Sequence, residues 1–156
     1  MAEFTVLMGG NRGDLKATFG RAIELIEGRI GIVLAISRDH WTQPWGFEDE
    51  QLFLNRAVLV ASELAPAEVM NRLLAIEDEL GRRRPAGGGL VPRTIDLDIL
   101  FIGDLVIDTP ALTVPHPRIP ERTFALGPAA DIVPGLVHPH TGQTVLQMLN
   151  TALRHT

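Results

Sequence analysis

Two stretches with apolar residues at helical spacing, each set between short strand-like runs, leave this chain few ways to fold. The first run, Phe4 to Met8, reads as a strand that ends in a turn at Gly9-Gly10-Asn11. Asp14 can cap the helix that follows, on which Leu15, Phe19, Ala22, Ile23 and Ile26 face a core. Ile30 to Ser37 is β-branched and predicts a second strand. From Arg38 to Gln51 the pattern stops, and Trp41, Pro44, Trp45, Gly46 and Phe47 beside acidic residues predict a loop with exposed rings. Phe53 to Ala61 predicts a third strand, with Phe53, Asn55, Ala57 and Leu59 on one face and Leu54, Arg56 and Val58 on the other. Pro66 opens a second helix carrying Val69, Met70, Leu73, Leu74, Ile76 and Leu80. Ile95 to Ile102 predicts a fourth strand, and Gly103-Asp104 a hairpin turn with Leu105 to Ile107 returning along it. Short helices near Phe124 to Ala130 and Val145 to Leu153 close the chain. The order β-α-β-β-α-β matches an α+β ferredoxin-like sandwich, with helices on one face of a mostly antiparallel sheet.

With 156 residues, no linker and no internal repeat, the chain reads as a single domain over residues 1–156. A net charge of −5 without a basic block argues against nucleic acid as a partner. The absence of cysteine excludes disulfides and a thiolate zinc site. Met1 to Met8 lacks the basic start and long apolar core of a signal peptide, and no window suits a membrane span. The expectation is a cytoplasmic protein, and a monomer, since no self-complementary apolar stripe stands out beyond what the core uses.

The chemistry concentrates at Asp96 and Asp98, two residues apart in an otherwise apolar strand and so on one face of it. Adjacent carboxylates repel, and a divalent cation relieves that repulsion; oxygen-only ligation suits Mg²⁺. Plain alternation, with both acids in solvent and Ile95, Leu97 and Ile99 inward, explains the motif about equally well. Arg93 just upstream and the cluster Arg82, Arg83 and Arg84 favour the functional reading, because acids beside several guanidinium groups suit phosphoryl transfer.

These residues belong to a wider pattern. Gly9-Gly10-Asn11-Arg12-Gly13-Asp14, Gln43-Pro44-Trp45-Gly46-Phe47 with Phe53-Leu54-Asn55, and Ile76-Glu77 leading to Leu80-Gly81-Arg82 come first. Pro92-Arg93-Thr94-Ile95-Asp96-Leu97-Asp98 and Val114-Pro115-His116-Pro117-Arg118 with Arg122 and Phe124 follow. In these segments the chain resembles the 6-hydroxymethyl-7,8-dihydropterin pyrophosphokinases over nearly its whole length. The resemblance implies transfer of pyrophosphate from ATP to the pterin hydroxymethyl oxygen, with release of AMP, in folate biosynthesis. It implies that Asp96 and Asp98 hold two Mg²⁺ ions and that Arg82 and Arg93 bind phosphates and stabilise the transition state. Phe53 and Phe124 would sandwich the pterin, Asn55 would bond its edge, and Thr42, Pro44 and Trp45 would add contacts. Met70, Glu77, Arg84, Ile99, His116 and Arg122 would line the nucleotide site. The glycines Gly87-Gly88-Gly89 replace basic residues found in other members, and the loop around them reads as a lid over ATP.

Each residue has a plainer reading. Phe53, Phe124 and Met70 could be core, Glu77 a solvated helix charge and His116 a loop histidine. Another Mg²⁺-dependent phosphotransferase or phosphohydrolase would use the same acids but would leave Phe53, Asn55 and Phe124 without a role. A non-catalytic small-molecule sensor has no need of the acids and arginines.

Overall fold

The computed structural model describes residues 1–43, 52–81 and 95–155. Strand β1 (Ala2–Gly10) is buried from Phe4 onward because it is apolar on both faces and paired on both edges. It lies between β4 (Phe53–Ser62) and β5 (Asp96–Ile102), both antiparallel to it. An outer strand, β2 (Ile32–Ile36), pairs with the far half of β4 and gives the order β2-β4-β1-β5. A short strand β3 (His40–Thr42) pairs with the other half of β4. This corrects the expectation of a loop starting at Arg38: three residues with no apolar alternation are held as a strand by β4.

Helix α1 (Leu15–Arg29) starts where the Asp14 carboxylate accepts the Ala17 amide at 3.2 Å. It packs with α2 (Pro66–Gly81) on one face of the sheet. Phe19, Ala22 and Ile26 from α1 meet Val69, Leu73 and Ile76 from α2 over Phe4, Val6, Met8, Leu54, Val58 and Leu97. The opposite face is also covered. Leu7, Leu100 and Phe101 pack under α3 (Thr123–Ile132) and α4 (Val145–Arg154), with Ala125, Leu126, Ala129, Val145 and Met148 as the main contacts. The ferredoxin-like frame therefore carries helices on both faces, not one. Each C-terminal helix presents its own apolar stripe, and a one-layer sandwich offers no surface to bury it.

A β-bulge makes this second core possible. Thr5 pairs with Phe101 and Val6 with Ile99, so Leu100 is an extra residue, and both it and Phe101 reach the second face. At the end of β5, Gly103 takes a positive φ of 52° and the chain turns, but Leu105 and Val106 stay exposed and outside any strand. The expected return strand does not form; β6 (Ile107–Asp108) pairs with β7 (Thr113–Val114). On the outer strand Ile32, Leu34 and Ile36 are about half exposed and form an apolar stripe outside the core. No helix among the described residues is long and apolar enough to cross a membrane.

Candidate active site

The site is built around Gly9. In register, Gly9 faces Asn55 on β4 and Asp96 on β5, and two residues earlier Leu7 faces Ala57 and Asp98. Residues opposite each other in antiparallel strands share a face, as do residues two apart. Asn55, Gly9, Asp96 and Asp98 therefore occupy one surface of the sheet, the surface that Leu7 shares with α3. A Cβ on Gly9 would stand 2.9 Å from Cε1 of Phe53 and 3.3 Å from Oδ1 of Asn55. The sequence reading took Gly9 as part of a turn; it is the last-but-one residue of β1, and its missing side chain admits the Phe53 ring.

Asn55 is fully buried, and its amide nitrogen donates to the Thr42 hydroxyl at 3.3 Å. Thr42 itself pairs with Phe53 across the β3–β4 ladder. Pairing with β3 thus fixes three of the predicted pterin residues together. Pro44 and Trp45, predicted beside them, lie outside the described residues, as do Arg82, Arg84, Arg93 and the glycine-rich loop.

Asp96 and Asp98 are exposed, while Ile95, Leu97 and Ile99 are buried, so the alternation is as plain as the sequence suggested. Their surface is nonetheless the one carrying Asn55 and Gly9. Among the described residues no three His, Asp or Glu side chains gather at one point. Two neighbouring carboxylates fit Mg²⁺, which is commonly bound through one or two carboxylates, with water and substrate phosphate completing its shell.

Next to Asp98, a cavity of about 130 Å³ is walled by Met70, Ile99, Thr113, His116, Arg122 and Phe124. Five residues predicted to serve the nucleotide or the pterin thus share one hollow with an aspartate. The Arg122 guanidinium lies 5.7 Å from the Phe124 ring centroid, a cation–π contact on a ring that is 39% exposed. An exposed Phe on the first turn of a helix is poorly explained as core. The Nδ1 atom of His116 accepts the Arg118 amide at 3.1 Å. Burial lowers the His116 pKa, Arg122 lowers it further, and Asp98 opposes the shift in part. Two larger hollows of about 400 Å³ lie toward the other end of β1, one beside Arg29, Ser62 and Arg72 and one beside Glu3 and Asp104. Neither holds any predicted site residue.

Glu77 is buried, not a solvated helix charge. Its Oε2 accepts the Leu97 amide at 2.7 Å, so α2 grips β5 at the residue between the two aspartates. The hydrogen bond comes from the helix side of the strand, with the carboxylates of Asp96 and Asp98 on the other face.

Known proteins are similar to this chain in sequence and in fold. The model of the 7,8-dihydro-6-hydroxymethylpterin-pyrophosphokinase family matches residues 5–134. A 2-amino-4-hydroxy-6-hydroxymethyldihydropteridine pyrophosphokinase of Porphyromonas gingivalis is 39% identical over 141 residues, covering 89% of this chain and 95% of that protein. Its counterpart in Bacillus subtilis is 41% identical over 128 residues, covering 81% and 75%. Among solved structures, the wild-type Plasmodium falciparum HPPK-DHPS with SDX-DHP superposes with a TM-score of 0.75 at 15% identity. That match covers 99% of this chain and 44% of the other, so this chain spans less than half of that larger protein and the likeness speaks for the fold alone. On these matches, the chain belongs to the 7,8-dihydro-6-hydroxymethylpterin-pyrophosphokinase family.

Proposed function

We propose that this chain transfers a pyrophosphoryl group from ATP to the hydroxymethyl oxygen of 6-hydroxymethyl-7,8-dihydropterin and releases AMP. The observation that carries the proposal is the single sheet face bearing Phe53, Asn55, Asp96 and Asp98 around Gly9, with Phe124 and Arg122 nearby at the start of α3. Phe53 and Phe124 offer flat apolar surfaces suited to offset stacking on a pterin. Asn55, held by Thr42 on one side, has amide groups that match the hydrogen-bonding edge of such a ring. His116, Arg122 and Met70 would line the nucleotide side of the cavity. Arg82, Arg84 and Arg93 would reach the phosphates from the sequence flanking α2 and β5.

In the reaction a bond forms between the pterin hydroxymethyl oxygen and the β-phosphorus. The bond from the β-phosphorus to the oxygen bridging it to the α-phosphorus breaks, and AMP leaves with that electron pair while the hydroxyl proton passes to water. Positioning and charge neutralisation suffice for such a transfer, and no covalent enzyme intermediate is needed. Mg²⁺ bound by Asp96 and Asp98, as two ions, would neutralise charge on the phosphates of ATP. Residues of this chain would orient the two substrates in line, and the buried surroundings of Asn55 would keep water from the pterin edge.

ATP labelled at its β-phosphorus tests the reading. The label must pass to the pterin product and leave AMP unlabelled. Label retained in ADP would show single-phosphoryl transfer, and label in free pyrophosphate would show hydrolysis.

A further inference from the structure

Helix α3 carries three residues on one stripe: Phe124, Gly127 and Asp131, spaced by three and four. Asp131 binds His40 on β3 and Arg38, two residues before it. Its Oδ2 accepts the Nε2 hydrogen of His40 at 2.8 Å and the Arg38 amide at 3.1 Å, and its Oδ1 accepts from the Arg38 guanidinium at 3.0 Å. The Asp131 side chain is 16% exposed and that of His40 25%, whereas Arg38 is 82% exposed. The His40 bond is thus the shielded one, and the Arg38 ion pair is largely in solvent. Burial by itself would raise the Asp131 pKa, but hydrogen bonds from the Arg38 side chain, His40 and the Arg38 amide outweigh it and bring it to about 2. Gly127 leaves room for the approach, since a Cβ there would stand 3.2 Å from Nδ1 of His40, a tight contact.

His40 pairs with Asn55 across the ladder, and Thr42, two residues on, pairs with Phe53 and accepts the Asn55 amide. One wall of the pterin slot, Phe53 with Asn55, is therefore tied to β3. The other wall, Phe124, stands on α3. We infer that Asp131 is a positioning residue whose bond to His40 sets the distance between Phe53 and Phe124. The inference rests on the pterin reading above and adds a part to it: neither Asp131 nor His40 touches the reacting atoms, yet both fix the width of the slot.

The test is a KM-against-kcat comparison of Asp131→Ala, Asp131→Asn, His40→Phe and Gly127→Ala. Asp131→Ala and His40→Phe are expected to raise the KM for the pterin by about tenfold, corresponding to ~1.4 kcal/mol. The KM for ATP and the kcat at saturating pterin should stay within about threefold. Asp131→Asn keeps an oxygen acceptor and should recover part of the loss. Gly127→Ala presses on the same contact from the helix side and should show the same split, which keeps the idea testable if Asp131→Ala fails to fold. Phe124→Ala is the control for the slot. A raised pterin KM in Phe124→Ala with no change in any of the other four would overturn the role of Asp131 and leave the slot standing. Unchanged pterin KM in Phe124→Ala as well, with AMP still formed, would overturn both. Equal loss in both KM values and kcat would mark a general structural role and also overturn the inference.

Discussion

Replacing Gly9 with Ala adds one methyl group at the centre of the site, and the structure states what that group meets. It would stand 2.9 Å from Cε1 and 3.7 Å from Cζ of Phe53, and 3.3 Å from Oδ1 of Asn55. Carbon atoms sit comfortably at about 3.5–4.0 Å, so the Phe53 ring must retreat by roughly 0.6–1.1 Å. Gly9 has no positive φ, and in an ordinary extended conformation Gly→Ala stabilises by about 0.4–1 kcal/mol through the unfolded chain. Overpacking costs about 1–3 kcal/mol, so the net expectation is a variant destabilised by up to ~2.6 kcal/mol. Phe53 is only half-buried and can relieve the clash by swinging outward, while Asn55 is buried and cannot. Under the proposed pterin reading, the displaced ring would no longer lie flat against the pterin, forfeiting stacking of about 0.5–1.5 kcal/mol, or up to roughly tenfold in affinity. Urea unfolding and fluorescence titration with pterin and with ATP separate the terms. Loss confined to pterin, with ATP binding retained, is the expected result. A Gly9→Ala protein more stable than the parent, with unchanged pterin affinity, would refute the clash and with it the placement of Phe53.

Other perturbations follow from the same geometry. Glu77→Ala removes the acceptor of the buried Leu97 amide and should cost about 1–3 kcal/mol in urea unfolding, with Glu77→Gln milder because it retains an oxygen. His138 is buried, and its Nδ1 accepts the amides of His140 and Thr141 at 3.1 and 3.2 Å, so protonation must break both bonds. Burial, and then the neighbouring His140, hold its pKa below the ordinary value of 6.5. Because the folded value lies below the unfolded one, its contribution to stability is complete above about pH 6.5 and declines as the pH falls, by at most ~1.4 kcal/mol per pH unit. NMR titration of the His138 ring should place its midpoint below 6.5; a midpoint at or above 6.5 would contradict this.

Much of the frame was legible because burial writes a period into sequence. The two long helices and the four main strands rest on spacings that only packing explains, and the faces expected for Leu54, Val58 and Asn55 are the ones observed. Arg56, expected beside Leu54 and Val58, lies on the first-core side, with its guanidinium 5.5 Å from the centroid of the Phe19 ring on α1. What the sequence concealed depends on contacts between distant segments. Strand β3 exists because β4 is long enough to pair with it, and no residue between His40 and Thr42 announces that. The second helical layer depends on the bulge at Leu100, a one-residue register shift that leaves no compositional trace. Asp96 and Asp98 could be named from their motif, but their face could not be joined to Asn55 without the register through Gly9. Asp131 was missed because nothing local distinguishes it from a solvated acid near a helix C-terminus; its partners are more than ninety residues away.

The most direct measurement is AMP formation by the purified protein given ATP, Mg²⁺ and 6-hydroxymethyl-7,8-dihydropterin, run beside Asp96→Ala. The account predicts AMP only when pterin, metal and the intact carboxylate are all present. ADP or phosphate as the product, AMP without pterin, or full activity in Asp96→Ala would contradict it.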